Sequence, residues 1–318
     1  MEFCYSNKRI FTLNLTPNRF GDPLCISRFR GYNKNVLFDK NTVDEVLKYA
    51  AEKCFDHLLI FVGDAYDYES HPEIAVEGAL SKEEFIAFLK KVRSFGLTPL
   101  PMLDFGFASD AWLSKADLIV PSEEYLNLAS DLIKELCEVF EKPELFHLGF
   151  GDESEKAQYV KALKRTRNGS VWFECVNRLC DTVRACGSRP WIWADNFLCD
   201  KKAFEENVSK DVVLSTQSYG YIKRFPNGSY RDSVTQSAVE LGELGYTQIP
   251  ASSVSFSMAD NALLNMELEK FDLPGKCIGQ LSNCLQNCDE DSIYELKYAV
   301  EAYYHGICQV FPAKKEAK

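Results

Sequence analysis

The 318-residue chain lacks any apolar run that approaches the roughly 18 residues of a membrane span. Its first residues also lack the continuous apolar stretch of a secretory signal peptide. Basic residues are in deficit, with 36 lysines and arginines against 47 aspartates and glutamates, and the net charge of −11 repels phosphate backbones and anionic lipid surfaces. We therefore expect a cytoplasmic protein that binds neither nucleic acid nor membranes.

The 12 cysteines lack the arrangement of a metal site, because they include no Cys-x-x-Cys pair and no accompanying histidine at zinc spacing. They are scattered from Cys4 to Cys308 rather than grouped as in a small disulfide-rich domain. Reduced, buried thiols are the expected state, and we expect neither a metal nor a cofactor.

The chain is rich in short apolar runs. Runs of strand length alternate with stretches of helical period, and no repeat or low-complexity linker interrupts them. The predicted strands are Leu24–Phe29, His57–Gly63, Leu97–Asp104, Leu145–Gly149, Pro190–Ala194, Asp211–Thr216, Tyr246–Pro250 and Lys276–Gln280. Between them, Ser81 opens a capping box for one helix, and further helices are predicted from Ser122 to Glu141 and from Asp289 to His305.

Eight such units predict one (β/α)8 barrel over residues 1–318, without an accessory domain. The alternative is a doubly wound open sheet. That fold usually has a glycine-rich phosphate turn after its first strand, and the segment from Ser27 to Tyr32 is not one. The barrel is therefore the favoured architecture.

The active site of such a barrel is built from the loops that leave the C-terminal ends of the strands. Polar or aromatic residues follow almost every predicted strand: Arg28, Asp64, Asp67, Asp104, Asp152, Glu153, Trp193, Asp195, Asn196, Gln217, Tyr219 and Ser253. Asp152 and Glu153 are adjacent, and crowding of two like charges favours keeping one of them protonated, as a general acid requires. In the alternative interpretation, Asp152 caps the next helix and Glu153 is an ordinary acid of its first turn.

Aromatic residues near the predicted strand ends offer faces on which sugar rings stack. They are Trp112, Trp191, Trp193, Tyr219 and Tyr221. Trp191 and Trp193 share one face of the fifth strand, and core filling is the favoured role of Trp191.

The run Phe146-His-Leu-Gly-Phe-Gly-Asp-Glu153 resembles the His-x-Gly-Gly-Asp-Glu motif of the family 20 glycoside hydrolases, the β-N-acetylhexosaminidases. Further similarity lies in the segments 72–85, 95–104, 189–195 and 217–221, within an overall range of about 24–310. The resemblance implies retaining hydrolysis of a terminal N-acetylhexosamine, in which the 2-acetamido group of the sugar is the nucleophile. Glu153 would protonate the leaving oxygen, and Asp152 would orient the acetamide. A substrate-binding set is also implied: Arg28, Asp64, Asp104, His147, Trp193, Asp195, Gln217 and Tyr219.

Two departures from the family pattern leave other functions open. Phe150 is an extra residue within the motif, and the segment Gly279–Cys284 lacks the tryptophan and glutamate that the family places after strand eight. A barrel that binds a carbohydrate without cleaving it is therefore the main alternative. A third possibility is a metal-dependent hydrolase or lyase that uses Asp64, Asp104, His147 and Asp152. The oligomeric state is left open.

Overall fold

The computed structural model describes most of the chain, with gaps between the segments. The described residues are 8–18, 32–53, 55–106, 111–116, 121–151, 169–218, 233–252, 277–284 and 286–310. Among the helices in these segments, none combines the length and the apolar content that crossing a bilayer requires.

Ten parallel strand segments form one sheet. They are β1 (Lys8–Asn14), β2 (His57–Phe61), β3 (Thr98–Met102), β4 (Leu145–His147), β5 (Arg189–Trp193), β6 (Val213–Ser215), β7 (Gln217–Ser218), β8 (Thr247–Gln248), β9 (Ala251–Ser252) and β10 (Gly279–Ser282). β1 pairs with β2 on one side and with β10 on the other, so the first and last strands are neighbours.

Two barrel strands are each divided into two segments. Thr216 separates β6 from β7, and Ile249 and Pro250 separate β8 from β9. β6 pairs with β8, β7 pairs with β9, and β9 pairs with β10. The ten segments therefore form eight strands in a closed ring, which confirms the predicted (β/α)8 barrel.

The predicted position of the first strand was wrong. Its place between the second and eighth strands is occupied by Lys8–Asn14, whereas Leu24–Phe29 lies outside the described residues. Lys8 and Arg9 give the start of β1 a polar appearance, but they form ion pairs with Glu144 and Asp56 at the N-terminal end of the barrel. The remaining five residues of the strand are buried.

Seven described helices accompany the strands: α1 (Lys40–Glu52), α2 (Lys82–Ser94), α3 (Glu123–Val139), α4 (Ser170–Ala185), α5 (Lys201–Asn207), α6 (Ser233–Glu243) and α7 (Ile293–Val310). The predicted capping box is confirmed: the Ser81 hydroxyl accepts from the Glu84 N–H, and the Glu84 carboxylate accepts from the Ser81 N–H. Ser122 caps α3 in the same position. These caps satisfy backbone donors that the first helical turn leaves free.

One row of side chains in the barrel interior lies near the C-terminal ends of the strands. Strand register aligns Asn14, Phe61, Met102, His147 and Trp191, and all five are buried. Register partners in a parallel sheet point to the same face. The row contributes to a packed floor below the mouth of the barrel, where the candidate site is expected.

An ion pair on the outside of the barrel is expected to make stability depend on pH. Arg184 on α4 donates from Nε and Nη2 to both carboxylate oxygens of Asp211, at 2.7 and 2.9 Å. These hydrogen bonds lower the pKa of Asp211 from its ordinary 3.8 to about 2. A carboxyl whose pKa is lower in the folded protein stabilises the fold above its ordinary pKa, and this contribution is lost as pH falls toward the folded value.

We expect Asp211→Asn to lower the free energy of unfolding by about 1 kcal/mol at pH 7, a modest value because the Asp211 side chain is 47% exposed. The difference between wild type and variant should shrink at pH 3. Urea unfolding at the two pH values measures it. Equal differences at both would contradict this account of the pair.

Candidate active site

The described chain reaches Gly151, the residue before the predicted catalytic pair. Asp152 and Glu153 lie outside the described residues, as do Arg28 and Tyr219. The structure therefore describes the approach to the pair and the walls contributed by other strands.

The approach to the pair is held by backbone hydrogen bonds on both sides after β4 ends. The Phe105 N–H donates to Leu148 O at 3.1 Å, and the Trp193 N–H donates to Gly149 O at 2.9 Å. The chain after β3 and the last residue of β5 thus enclose the segment between them. Its backbone position is fixed up to Gly149.

Phe150, the extra residue of the motif, has a left-handed backbone. Its φ is 66°, directly after Gly149 at 76°. A bulky residue rarely adopts this conformation, and it persists where the surroundings fix it. The Phe150 ring is fully buried beside Phe105 and Trp172, with ring centroids 6.4 and 6.0 Å away. The extra residue is therefore accommodated by a left-handed bulge and an aromatic pocket before Asp152.

Asp104 packs against the backbone of this bulge. Its carboxylate is buried and accepts from the Gly106 N–H at 3.0 Å, while its carbonyl accepts from Trp112 Nε1 at 3.1 Å. A Cβ on Gly149 would stand 2.6 Å from the Asp104 Cα and closer still to the carboxylate. Gly149 is thus required for close packing as well as for its positive φ.

Gly151 touches the wall formed by the fifth and sixth strands. A Cβ on Gly151 would lie 2.7 Å from Trp193 Cδ1 and 3.1 Å from Gln217 Nε2. Trp193 is 1% exposed, whereas Gln217 and Asp195 are half-buried. Two of the predicted binding residues, Trp193 and Gln217, are therefore brought next to the residue that precedes Asp152.

His147 lies below this wall with its ring buried. Its Nδ1 accepts from the Gly149 N–H at 3.0 Å, which assigns the proton to Nε2 in the neutral ring. The ring packs edge-on against Trp191 and Trp193, each 4.6 Å away between centroids. Trp191 is fully buried and donates to Ser215 Oγ at 2.7 Å, in agreement with its predicted core role. His147 thus links the floor of the mouth to the bulge before Asp152.

Asp64 has its carboxylate inside the protein. One oxygen accepts from Thr16 Oγ1 at 2.5 Å and the other from Asn18 Nδ2 at 2.7 Å. Asn18 also accepts from the Asn33 N–H at 2.7 Å. Through these hydrogen bonds the fully buried Asp64 carboxylate holds the segment that follows β1 in place. The sequence analysis missed Thr16, Asn18 and Asn33. Their position in the segment after the true first strand is the feature that would identify them.

We expect Asp64→Ala to reduce the free energy of unfolding by about 2–3 kcal/mol, since it leaves the buried Thr16 hydroxyl and Asn18 amide without their acceptor. Asp67→Ala is the matched control, because Asp67 lies in the same loop with an exposed side chain. The control should change stability by less than about 0.5 kcal/mol. Similar urea midpoints for the two variants would refute the bracing role of Asp64.

The third possibility, a divalent metal site, gains no support from the part of the chain that the structure describes. Within that part, no three His, Cys, Asp or Glu residues are gathered as a metal would require. Asp64 and Asp104 already accept hydrogen bonds from protein donors.

No protein-family model and no curated protein sequence matches the chain, whereas solved structures do. A GH20 catalytic module of the pneumococcal exo-β-D-N-acetylglucosaminidase StrH is 13% identical, with a TM-score of 0.62 over 96% of this chain and 84% of that one. Dispersin B is 12% identical, with a TM-score of 0.59 over 96% and 99%. The GH20 exo-β-N-acetylglucosaminidase of Vibrio harveyi, solved with N-acetylglucosamine, is 12% identical, with a TM-score of 0.58 over 94% and 54%. At identities this low, the structural matches establish the architecture alone. The chain has the fold of the GH20 catalytic barrel.

Proposed function

We propose that the protein is a glycoside hydrolase that removes a terminal N-acetylhexosamine with the help of the substrate's own acetamido group. One observation carries the proposal. In a barrel with the fold of GH20 enzymes, an Asp-Glu pair directly follows, in the sequence, a segment that is hydrogen-bonded to the chain after β3 and to the end of β5. Catalytic residues of such barrels come from the C-terminal ends of strands.

Glu153 is the proposed general acid. It donates its proton to the glycosidic oxygen as the bond to the anomeric carbon breaks, and later accepts a proton from the attacking water. The acetamido oxygen attacks the anomeric carbon, which forms a cyclic intermediate and retains the configuration after hydrolysis. Adjacent residues on an extended chain point to opposite sides. The pair therefore suits this mechanism better than one with an enzyme nucleophile, in which two carboxyls stand about 5 Å apart across the bond.

Asp152 is proposed to orient the acetamide and to stabilise the positive charge that develops on it, and Tyr219 to donate to the acetamide oxygen. Arg28 is carried over as a hydroxyl-binding residue. Trp193 and Asp195 line the proposed sugar pocket, with Gln217 beside Gly151.

His147 and Asp104 are proposed to act mainly by positioning. His147 accepts from the Gly149 N–H, and the Asp104 carboxylate packs against the Gly149 backbone. Both contacts bear on the peptide segment that leads into Asp152. Misplacing a catalytic group by about 1 Å can cost a hundredfold in rate, so this rigid approach is what a general acid needs.

The experiment is release of a chromophore from aryl N-acetylglucosaminides and aryl N-acetylgalactosaminides by the purified protein. The proposal expects turnover of at least one of them. No release from either, at enzyme concentrations high enough to detect a single turnover, would exclude the hydrolase.

Binding without cleavage is the second candidate, and the loop after β10 favours it. The run from Asn283 to Cys288 contains neither tryptophan nor glutamate, and Asn14 Nδ2 approaches Asn287 Oδ1 at 3.4 Å. The loop thus lacks the two residue types that the family pattern would supply for the far hydroxyls of the sugar. Titration calorimetry with N-acetylglucosamine and N-acetylgalactosamine distinguishes the candidates, because a saturable heat without chromophore release would indicate a binding protein.

A further inference from the structure

Two cysteines meet where α3 and α4 end. The helices pack side by side, and Ser130 Oγ lies 3.2 Å from Thr182 Oγ1 across their interface. Toward their C-terminal ends, Cys137 Sγ lies 3.9 Å from Ser188 Oγ. Cys186, which ends α4, is two residues before Ser188, and its thiol acts electrostatically on that of Cys137. The two cysteines are therefore neighbours at the ends of packed helices, and both thiols are free.

The two thiols differ in their access to solvent. Cys137 is 3% exposed, whereas Cys186 is half-buried. Burial raises the pKa of the Cys137 thiol well above its ordinary value. A small oxidant in solution therefore reaches Cys186 first, and Cys137 is the neighbour placed to react with the product.

We propose that Cys137 and Cys186 are a reversible dithiol–disulfide pair that exchanges with low-molecular-weight disulfides such as oxidised glutathione. The Cys186 thiolate attacks one glutathione sulfur, which forms a mixed disulfide and releases one glutathione thiolate. The Cys137 thiolate then attacks the Cys186 sulfur and releases the second glutathione. Two protein thiols are oxidised, and one glutathione disulfide is reduced to two thiols.

The bond would join the two helices that flank β4 and would close the chain from residue 137 to residue 186. Closing a loop of this length restricts the unfolded chain, so the oxidised protein should melt at a temperature higher by about 5 °C. Helices of the barrel run opposite to the strands, so their C-terminal ends lie at the end of the barrel away from the mouth. The pair therefore stands apart from the proposed active site, and the inference does not depend on the proposed function.

Cys284 and Cys288 provide an internal comparison. They also interact with each other, but both are buried, at 5% and 0% exposed. An oxidant that needs contact with a sulfur should leave this pair reduced while it converts the other.

The experiment incubates the folded Cys199→Ser protein with oxidised glutathione, followed by alkylation, trypsin digestion and mass spectrometry. The exposed Cys199 is replaced because it would otherwise share a tryptic peptide with Cys186. Trypsin does not cut between Arg189 and Pro190. We expect a cross-link between the peptides that contain Cys137 and Cys186, reversed by dithiothreitol. The oxidised form should show the higher melting temperature.

Adding Cys137→Ser to the Cys199→Ser protein tests the proposed order of the two exchange steps. Without the second thiol, Cys186 should accumulate a stable glutathione adduct, whereas adding Cys186→Ser instead should leave Cys137 unmodified. The proposal is overturned if both thiols stay free at glutathione disulfide concentrations that convert exposed cysteine peptides. It is also overturned if Cys186 pairs with a different cysteine.

Discussion

Replacing Glu153 with glutamine is expected to lower kcat/KM on an N-acetylhexosaminide with a poor leaving group by about a hundredfold to ten-thousandfold. Glutamine keeps the size of the side chain but cannot donate the proton that the departing alcohol needs. An aryl glycoside with an acidic phenol needs less assistance, so its rate should fall much less. The ratio of the two losses identifies a general acid more specifically than either loss alone.

The control for this variant is Glu174→Gln. Glu174 is exposed on α4, and the same change of charge there should leave both rates within about twofold. Circular dichroism and melting curves establish that the Glu153 variant remains folded. Full activity of Glu153→Gln on the poor leaving group would remove Glu153 from the acid role.

Gly149→Ala is expected to be among the most harmful single-methyl additions in the protein. Alanine at φ 76° is strained, and its Cβ would overlap the backbone and carboxylate of Asp104. We expect a loss of about 3 kcal/mol or more in the free energy of unfolding. The remaining folded protein should lose at least about tenfold in kcat, because the segment leading to Asp152 must shift.

The control Gly96→Ala separates backbone strain from steric overlap with a neighbouring residue. Gly96 has nearly the same φ, 80°, but an added Cβ would meet nothing within 4 Å. The free energy of unfolding should fall by about 1 kcal/mol, from backbone strain alone, and kcat should stay unchanged. If the two alanine variants unfold at the same urea concentration, the close packing of Gly149 on Asp104 has no energetic weight.

The barrel was predictable because short apolar runs of strand length alternate along the chain with stretches of helical period. His57–Phe61 and Arg189–Trp193 lie within a residue or two of their predicted positions. β1 was not found, because Lys8 and Arg9 interrupt the apolar pattern, and their partners, Glu144 and Asp56, are distant in sequence. The eight-unit count was nevertheless right, since another apolar segment was taken for the first strand.

The polar residues that gather at the strand ends were predictable in part, but the contacts that they make were not. A rule based on strand ends finds Asp64, Asp104 and Gln217, because any polar residue after a strand satisfies it. It cannot reveal that Asp64 accepts hydrogen bonds from Thr16 and Asn18. Nor can it reveal that the extra residue Phe150 fits as a left-handed bulge, since that depends on the pocket formed by Phe105 and Trp172.

Dependence of the rate on the 2-acetamido group tests the central claim most directly. The measurement compares kcat/KM for an aryl 2-acetamido-2-deoxyglucoside with that for the aryl glucoside carrying the same leaving group. An intramolecular nucleophile is worth orders of magnitude in rate, so the account predicts that the plain glucoside reacts at least about a thousandfold more slowly. Comparable rates on the two substrates would contradict substrate assistance.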